Sequence, residues 1–279
     1  MTCTLDNLVY YVDNVSQTAW ERLTLELHLG EHQSLLPNVY RKIGTGASEY
    51  HHNLHIGQGG GAIMVSWKHN SERELSVNYR MRVEFNPAKQ TKMNDWFWIQ
   101  FRTITHQYNK YIKQMDIAFD IPTHVNNISA ISLTGRDRSL FKNTRYFGSS
   151  GKSGRLKIYD KKTELENVQG ISITDEVLTR IEYTKKYDEP IALTLLESQE
   201  DLGINEEYTI SNFNLGDNEG IIKASILAIQ NCEMEMKEFS KSYKVKIKKA
   251  FADMEKFDLD HEFRNAKQKI QDVIRLYLD

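Results

Sequence analysis

Apolar and polar residues alternate strictly through "YRMRVEFNP", residues 79–87, and the run stops at Pro87. Strand side chains point alternately to the two faces of a sheet, so this pattern demands a sheet with one buried face. Proline has no amide to continue the ladder, which ends the strand there. Other segments fit the same rule. "LVYYVDNV" (8–15), "AIMVSWK" (62–68, after Gly59-Gly60-Gly61), "MDIAFDIP" (115–122) and "VLTRIEYTKK" (177–186) predict strands. "NTRYFGS" and "GRLKIYDK" predict a strand pair joined by a glycine-serine turn over residues 149–154. "DWFWIQFRTITHQYNKYIKQ" (95–114) predicts a helix. "HHNLH", with His51, His52 and His55, adjoins glycines and predicts a surface loop.

The last third changes character. From Glu219 onward there is no proline and almost no glycine, and Ile226, Ile229, Phe251, Met254 and Phe257 recur at helical spacing. Residues 221–279 therefore predict two or three helices, reached through the acidic connection "ESQEDLGINEEY". The expected fold class is α+β: an antiparallel β-sheet core with flanking helices and a helical C-terminal region. The expected division is a strand-rich core over 1–215 and a helical region over 216–279.

The formal net charge is −2, so no global basicity points to nucleic acid or membrane. The distribution says more. Residues 136–162 hold nine Lys/Arg against two Asp, whereas residues 188–219 hold nine Asp/Glu and no Lys or Arg. A basic face of that kind attracts phosphates. Cys3 and Cys232 show neither CxxC nor zinc spacing, which suggests a reduced cytoplasmic protein. The N-terminus lacks a basic segment followed by an apolar one, so no signal peptide is expected. No apolar run approaches the roughly 18 residues of a membrane span, so no membrane partner is expected.

Carboxylates stand out on the predicted strands. Asp116, Ala118 and Asp120 share one face, and Met115, Ile117 and Phe119 the other. Glu182, between Ile181 and Tyr183, and Glu84 in "RVEFN" have the same polar setting. Acids crowded on one face repel unless a cation intervenes, and Mg²⁺ or Mn²⁺ prefers such oxygen ligands. Solvated acids, or partners of Arg82 and Arg180, are the simpler alternative. "GSSGKSG" is too short for a phosphate loop, with Gly148 and Gly151 only three apart, and predicts a hairpin turn.

Tyrosine is a weak nucleophile near neutral pH because its ordinary pKa is about 10. Cations, a metal or an adjacent base make it useful. In "GRLKIYDKK", Tyr159 shares a strand face with Lys157 and Lys161, a poor place for a core residue; Asp160 suggests that the strand ends there. Tyr146, beside Phe147 and the turn, predicts aromatic packing at a sheet edge. The aromatics of "DWFWIQF" predict core in the same way.

"MDIAFDI", "YFGSSGKSGRLKIYDKK" and "TRIEYTKK", in that order, resemble the Rep_trans replication initiators of small rolling-circle plasmids in Gram-positive bacteria. The resemblance covers about residues 79–186 by motif and, more loosely, the helical end. It implies an origin-specific DNA nicking and closing enzyme. There a strand-borne tyrosine in an "IYNKK"-like motif attacks a phosphodiester, leaving a 5′-phosphotyrosyl link and a 3′-OH primer. The matching tyrosine is Tyr159, with Asp160 where asparagine is common. The resemblance further implies Asp116, Asp120 and Glu182 as ligands of Mg²⁺ or Mn²⁺, with Glu84 less firmly matched. DNA contacts are expected from Arg155, Lys157, Lys161 and Lys162, and from Lys244, Lys246 and Lys248 in "KSYKVKIKK". The implied partners are the plasmid's double-strand origin, a host replicative helicase and a second copy of the chain; the helical end would serve DNA specificity, dimerisation or both. A non-catalytic, sequence-specific DNA-binding regulator of related fold is the alternative. A metal-dependent nuclease that uses water, and so forms no covalent adduct, is a third possibility.

Overall fold

The computed structural model describes residues 1–35, 39–43, 49–57, 59–69, 78–169, 177–212 and 220–279. Its fold mixes helices and strands and is dominated by antiparallel sheet, as the α+β expectation requires. In chain order the first elements are β1 (Thr2–Ser16), α1 (Gln17–His32), β2 (Val39–Ile43), β3 (Tyr50–Ile56), β4 (Ile63–His69) and β5 (Asn78–Phe85). Then come α2 (Asp95–Thr105), β6 (Lys110–Ile121), β7 (Ile128–Ser132), β8 (Arg138–Phe141), β9 (Thr144–Phe147), β10 (Arg155–Asp160) and α3 (Lys161–Glu164). The remainder is β11 (Thr179–Ile191), α4 (Leu193–Ser198), α5 (Ile204–Glu207), β12 (Tyr208–Asn212), α6 (Gly220–Gln230), α7 (Lys241–Asp253), β13 (Glu255–Lys256) and α8 (Leu259–Leu278).

Two expectations are corrected. The helix of "DWFWIQFRTITHQYNKYIKQ" covers only its first half, because α2 ends at Thr105 and β6 has begun at Lys110. Phe97, Trp98, Phe101 and Ile104 are buried at helical spacing, whereas from Ile112 the buried positions follow the strand. "HHNLH" is not a loop but the centre of β3, whose Tyr50, Leu54 and Ile56 are buried. His52 lies 5.4 Å from the Trp67 ring and 5.9 Å from that of Trp20. That burial pushes its imidazole below the ordinary histidine pKa.

The chain forms two compact units that do not follow chain order. The β1–β5 unit comprises Thr4–Asp116, Lys186–Glu200 and Lys267–Asp279; the β7–β12 unit comprises Met1–Cys3, Ile117–Lys185 and Asp201–Ala266. In the β1–β5 unit the strands are ordered β2-β3-β4-β5-β1. Val12, Val65, Met81, Val83 and Phe85 form a buried face there. Trp98 and Tyr277 pack against Phe85 with ring centroids 4.6 Å from it.

In the β7–β12 unit the order β11-β10-β9-β8 places β10 between two partners. Leu156, Ile158, Phe147 and Ile181 are fully buried beneath it. The expected hairpin turn joins β9 to β10. Gly154 (φ 75°) closes it, and a Cβ there would lie 2.1 Å from Arg136 Nη2 and 2.2 Å from Glu207 Oε2. At that φ a side chain would be strained and would displace both of these groups, and the Gly154 carbonyl accepts from Tyr208 Oη at 2.5 Å. β7 pairs with β12, and β12 with β13, as a separate small sheet. α6 and α7 share an apolar cluster of Ile226, Ile229, Ile247, Ala250 and Met254.

Candidate active site

Alternation along β10 sets the site. Leu156 and Ile158 go to the core, so Arg155, Lys157 and Tyr159 point to the opposite face. β11 runs antiparallel beside it, with Lys157 opposite Glu182 and Tyr159 opposite Arg180. β9 lies on the other side, with Tyr146 opposite Lys157. Tyr146, Arg155, Lys157, Tyr159 and Glu182 line a cleft of about 1130 Å³, together with Arg145, Asp160 and Glu164.

At its floor Tyr159 Oη donates to Glu182 Oε1 at 2.5 Å, and Lys157 Nζ donates to Glu182 Oε2 at 2.6 Å. Glu182 is 5 % exposed, so both bonds lie largely out of water. Burial alone would push its carboxyl up. The Lys157 charge and hydrogen bond, the Tyr159 hydroxyl and the Arg180 charge outweigh it and hold the carboxyl below its ordinary range. The Tyr159 phenol moves the other way. Burial, then the charge and hydrogen bond of Glu182, push it well above the ordinary tyrosine value, against an opposing pull from Arg180. The resting pair is a neutral phenol hydrogen-bonded to an ionised carboxylate. Such a carboxylate is placed to receive the proton as the oxygen becomes a nucleophile.

The chain turns immediately after Tyr159. Asp160 caps α3, accepting from Thr163 N at 3.0 Å and Thr163 Oγ1 at 2.8 Å. Lys161 therefore does not continue the strand face, contrary to the sequence expectation. It is 4 % exposed, donates to Glu164, and still places its ammonium 5.9 Å from the Tyr159 ring centroid.

The expected metal ligands have different surroundings. Asp120 is gripped by Arg180 through two bonds, Nε to Oδ1 at 2.6 Å and Nη2 to Oδ2 at 2.7 Å. Both oxygens of Glu182 are engaged by Lys157 and Tyr159. Asp116 lies in the β1–β5 unit, where Gln114 donates to it at 3.1 Å. Glu84, in the same unit, pairs with Arg82 at 2.5 Å. Among the described residues no group of three His, Cys, Asp or Glu side chains is placed to hold a metal. As arranged, the Asp120 oxygens are bonded to Arg180 and the Glu182 oxygens to Lys157 and Tyr159, so this donor set does not fit a divalent ion.

Of the expected DNA contacts, Arg155 and Lys157 line the cleft. Lys162 lies 3.9 Å from Glu166. On α7, Lys244 donates to the Lys237 carbonyl at 3.1 Å, while Lys246 and Lys248 are exposed. Lys248 lines a second depression of about 640 Å³, beside Arg138 and Phe251. One acid of the negative stretch meets the basic tract: Glu207 is paired with Arg136 at 2.9 Å. Arg180 pairs with Asp120, the alternative that the sequence offered for these acids, and its charge also draws the Tyr159 phenol down. Tyr146, expected to pack at a sheet edge, is half-buried and opens onto the cleft. No helix among the described residues is long and apolar enough to cross a membrane.

No family model matches the chain. Three curated relatives from Staphylococcus aureus, each called a replication initiation protein, are 28 %, 29 % and 30 % identical over 114 residues. Those residues are 39 % of this chain and span only 36 % of each relative's length. The solved structure of a rolling circle replication initiator protein from Geobacillus stearothermophilus aligns with 84 % of this chain and 99 % of its own. Its TM-score is 0.40 at 11 % identity, too low to carry an argument.

Proposed function

We propose that the chain initiates rolling-circle plasmid replication by nicking and rejoining origin DNA through Tyr159. The observation that carries this reading is the 2.5 Å bond from Tyr159 Oη to Glu182 Oε1, with Lys157 on the second oxygen, at the floor of an open cleft. The names of the Staphylococcus aureus relatives, and the resemblance of the three ordered motifs to Rep_trans initiators, support the same reading.

The residues divide the work. Tyr159 Oη attacks the scissile phosphorus, and the phosphorus–3′-oxygen bond breaks. The phenol proton passes to Glu182 Oε1, and the departing 3′ oxygen takes a proton from water. Transfer to a carboxylate of low basicity is uphill at rest. It becomes favourable as the oxygen gives its electron pair to phosphorus and the phenol grows more acidic. Lys157 and Arg155, on the same face, meet the charge that develops on the phosphate. The phosphotyrosyl diester keeps the bond energy, so the 3′-OH can later attack it and close the strand. Lys244, Lys246 and Lys248 on α7 would hold duplex backbone at the origin. A host replicative helicase and a second copy of the chain are the expected partners.

The test is to incubate supercoiled plasmid bearing the cognate origin with the protein. Relaxed circles and a DNA-linked peptide carrying Tyr159 are expected. Origin binding without nicking would replace this reading with the non-catalytic regulator. Cleavage without covalent adduct would replace it with a nuclease that uses water.

A further inference from the structure

We infer that Tyr146, layered with Arg155, is a stacking platform for an unpaired nucleobase beside the phosphate that Tyr159 attacks; this rests on the reading of Tyr159 as the nucleophile. Tyr146 stands directly across from Lys157, whose other neighbour is Glu182. Tyr146, Lys157 and Glu182 thus form one row across the strands β9, β10 and β11, with Tyr159 two residues further along β10. With strands about 4.8 Å apart and a rise of about 3.3 Å per residue, Tyr146 and Tyr159 lie roughly 8 Å apart at the backbone. That is the scale of one nucleotide step in an extended strand.

Packing does not account for Tyr146. Its chain neighbour Phe147 is fully buried on the core face, whereas Tyr146 remains accessible within the cleft. The Arg155 guanidinium sits 4.7 Å from its ring centroid, fixing the ring and adding a second flat group. Arg155 Nε is buried and has no hydrogen-bond partner among the described residues, while the residue itself borders the cleft. Aromatic rings and guanidinium planes both stack on bases regardless of sequence. Two of the acids that line the cleft are occupied, Asp160 in the α3 cap and Glu164 with Lys161. The ligand class is single-stranded DNA, held by base stacking as well as by phosphate.

The test uses two fluorescent probes, a thymidine dodecamer and an abasic strand with the same number of phosphates, read by anisotropy with the full chain. The parent should prefer the thymidine strand by about tenfold. Tyr146→Ala should remove that preference while leaving the abasic affinity unchanged. Tyr146→Phe should keep it, since the ring and not the hydroxyl stacks. Arg155→Ala should weaken both probes. No preference in the parent, or an undiminished preference in Tyr146→Ala, overturns the platform, as does a Tyr146→Phe protein that behaves like the alanine variant. Adduct formation on plasmid is scored separately. Preference without adduct removes the Tyr159 reading and keeps the base site; adduct without preference does the reverse.

Discussion

Tyr159 and Glu182 are bonded diagonally, not directly across the ladder: the residue opposite Tyr159 is Arg180, and the residue opposite Glu182 is Lys157. Each member of the pair therefore faces a cation. The carboxylate stays ionised and the phenol stays protonated, so the proton has one direction to move.

Removing the hydroxyl should abolish chemistry and spare the fold. Tyr159→Phe is expected to form no DNA–protein adduct on a gel while melting within a few degrees of the parent. Its loss is one hydrogen bond to a carboxylate that Lys157 still holds, worth about 1–3 kcal/mol.

Glu182→Gln keeps the shape and loses the base. A positioned general base contributes about 10²- to 10⁴-fold, so adduct formation should slow by that factor. The pH profile gives a second check. Because the Glu182 carboxyl is held below its ordinary 4.5, the parent's rate should be flat from about pH 5 upward. The stability supplied by this depressed carboxyl is present above its unfolded pKa and lost as pH falls through the folded one. Because the phenol is raised above its ordinary 10.0, no rise should appear near pH 10. A rise there would mean that Tyr159 ionises freely.

Arg180→Met removes a neighbouring cation that draws the phenol down, and it takes from Asp120 its two bonds to that guanidinium. Adduct formation should slow. Asp120→Asn, which leaves Arg180 in place, should be the milder change of the two.

A buried arginine at the cleft gives a test of stability. Arg145, 4 % exposed, donates to the carbonyls of Ile128 at 2.8 Å and Val125 at 2.6 Å. Burial draws its guanidinium down to about 10. Arg145→Met would leave both carbonyls without this donor, at about 1–3 kcal/mol each, and should lower the melting temperature by several degrees.

Manganese titration checks the carboxylates. With the Glu182 and Asp120 oxygens already bound to protein groups, millimolar Mn²⁺ should leave the melting temperature of the free protein unchanged. A rise in the parent that is absent from Glu182→Gln would show that Lys157 yields its carboxylate to the ion.

The face of each strand was legible in the sequence, and the partners were not. Alternation alone put Lys157 and Tyr159 on one side of β10 and Glu182 on a polar face of β11. Which of them touch depends on register, which the turn closed at Gly154 helps to set, and on strand order. Hence Arg180 appeared only as one possible partner of an acid. The same gap made Tyr146 look like edge packing, since its place opposite Lys157 follows from turn length. Histidines hid the period of two in β3, although Tyr50, Leu54 and Ile56 sit at its buried positions. In residues 95–114 aromatic content continued past the helix end, so the change of period between Thr105 and Lys110 was invisible.

The alternation of β10 also limits how this chain can evolve. Between Gly154, whose positive φ disfavours a side chain, and Asp160, which caps a new helix, there is little slack. Inserting or deleting one residue in that window would turn Tyr159 inward and bring Ile158 or a neighbour to the cleft. Conservative apolar changes at Leu156 or Ile158 would be tolerable, but a change in the strand's length would not. The loop over residues 149–153, by contrast, can vary in length as long as Gly154 still receives the chain.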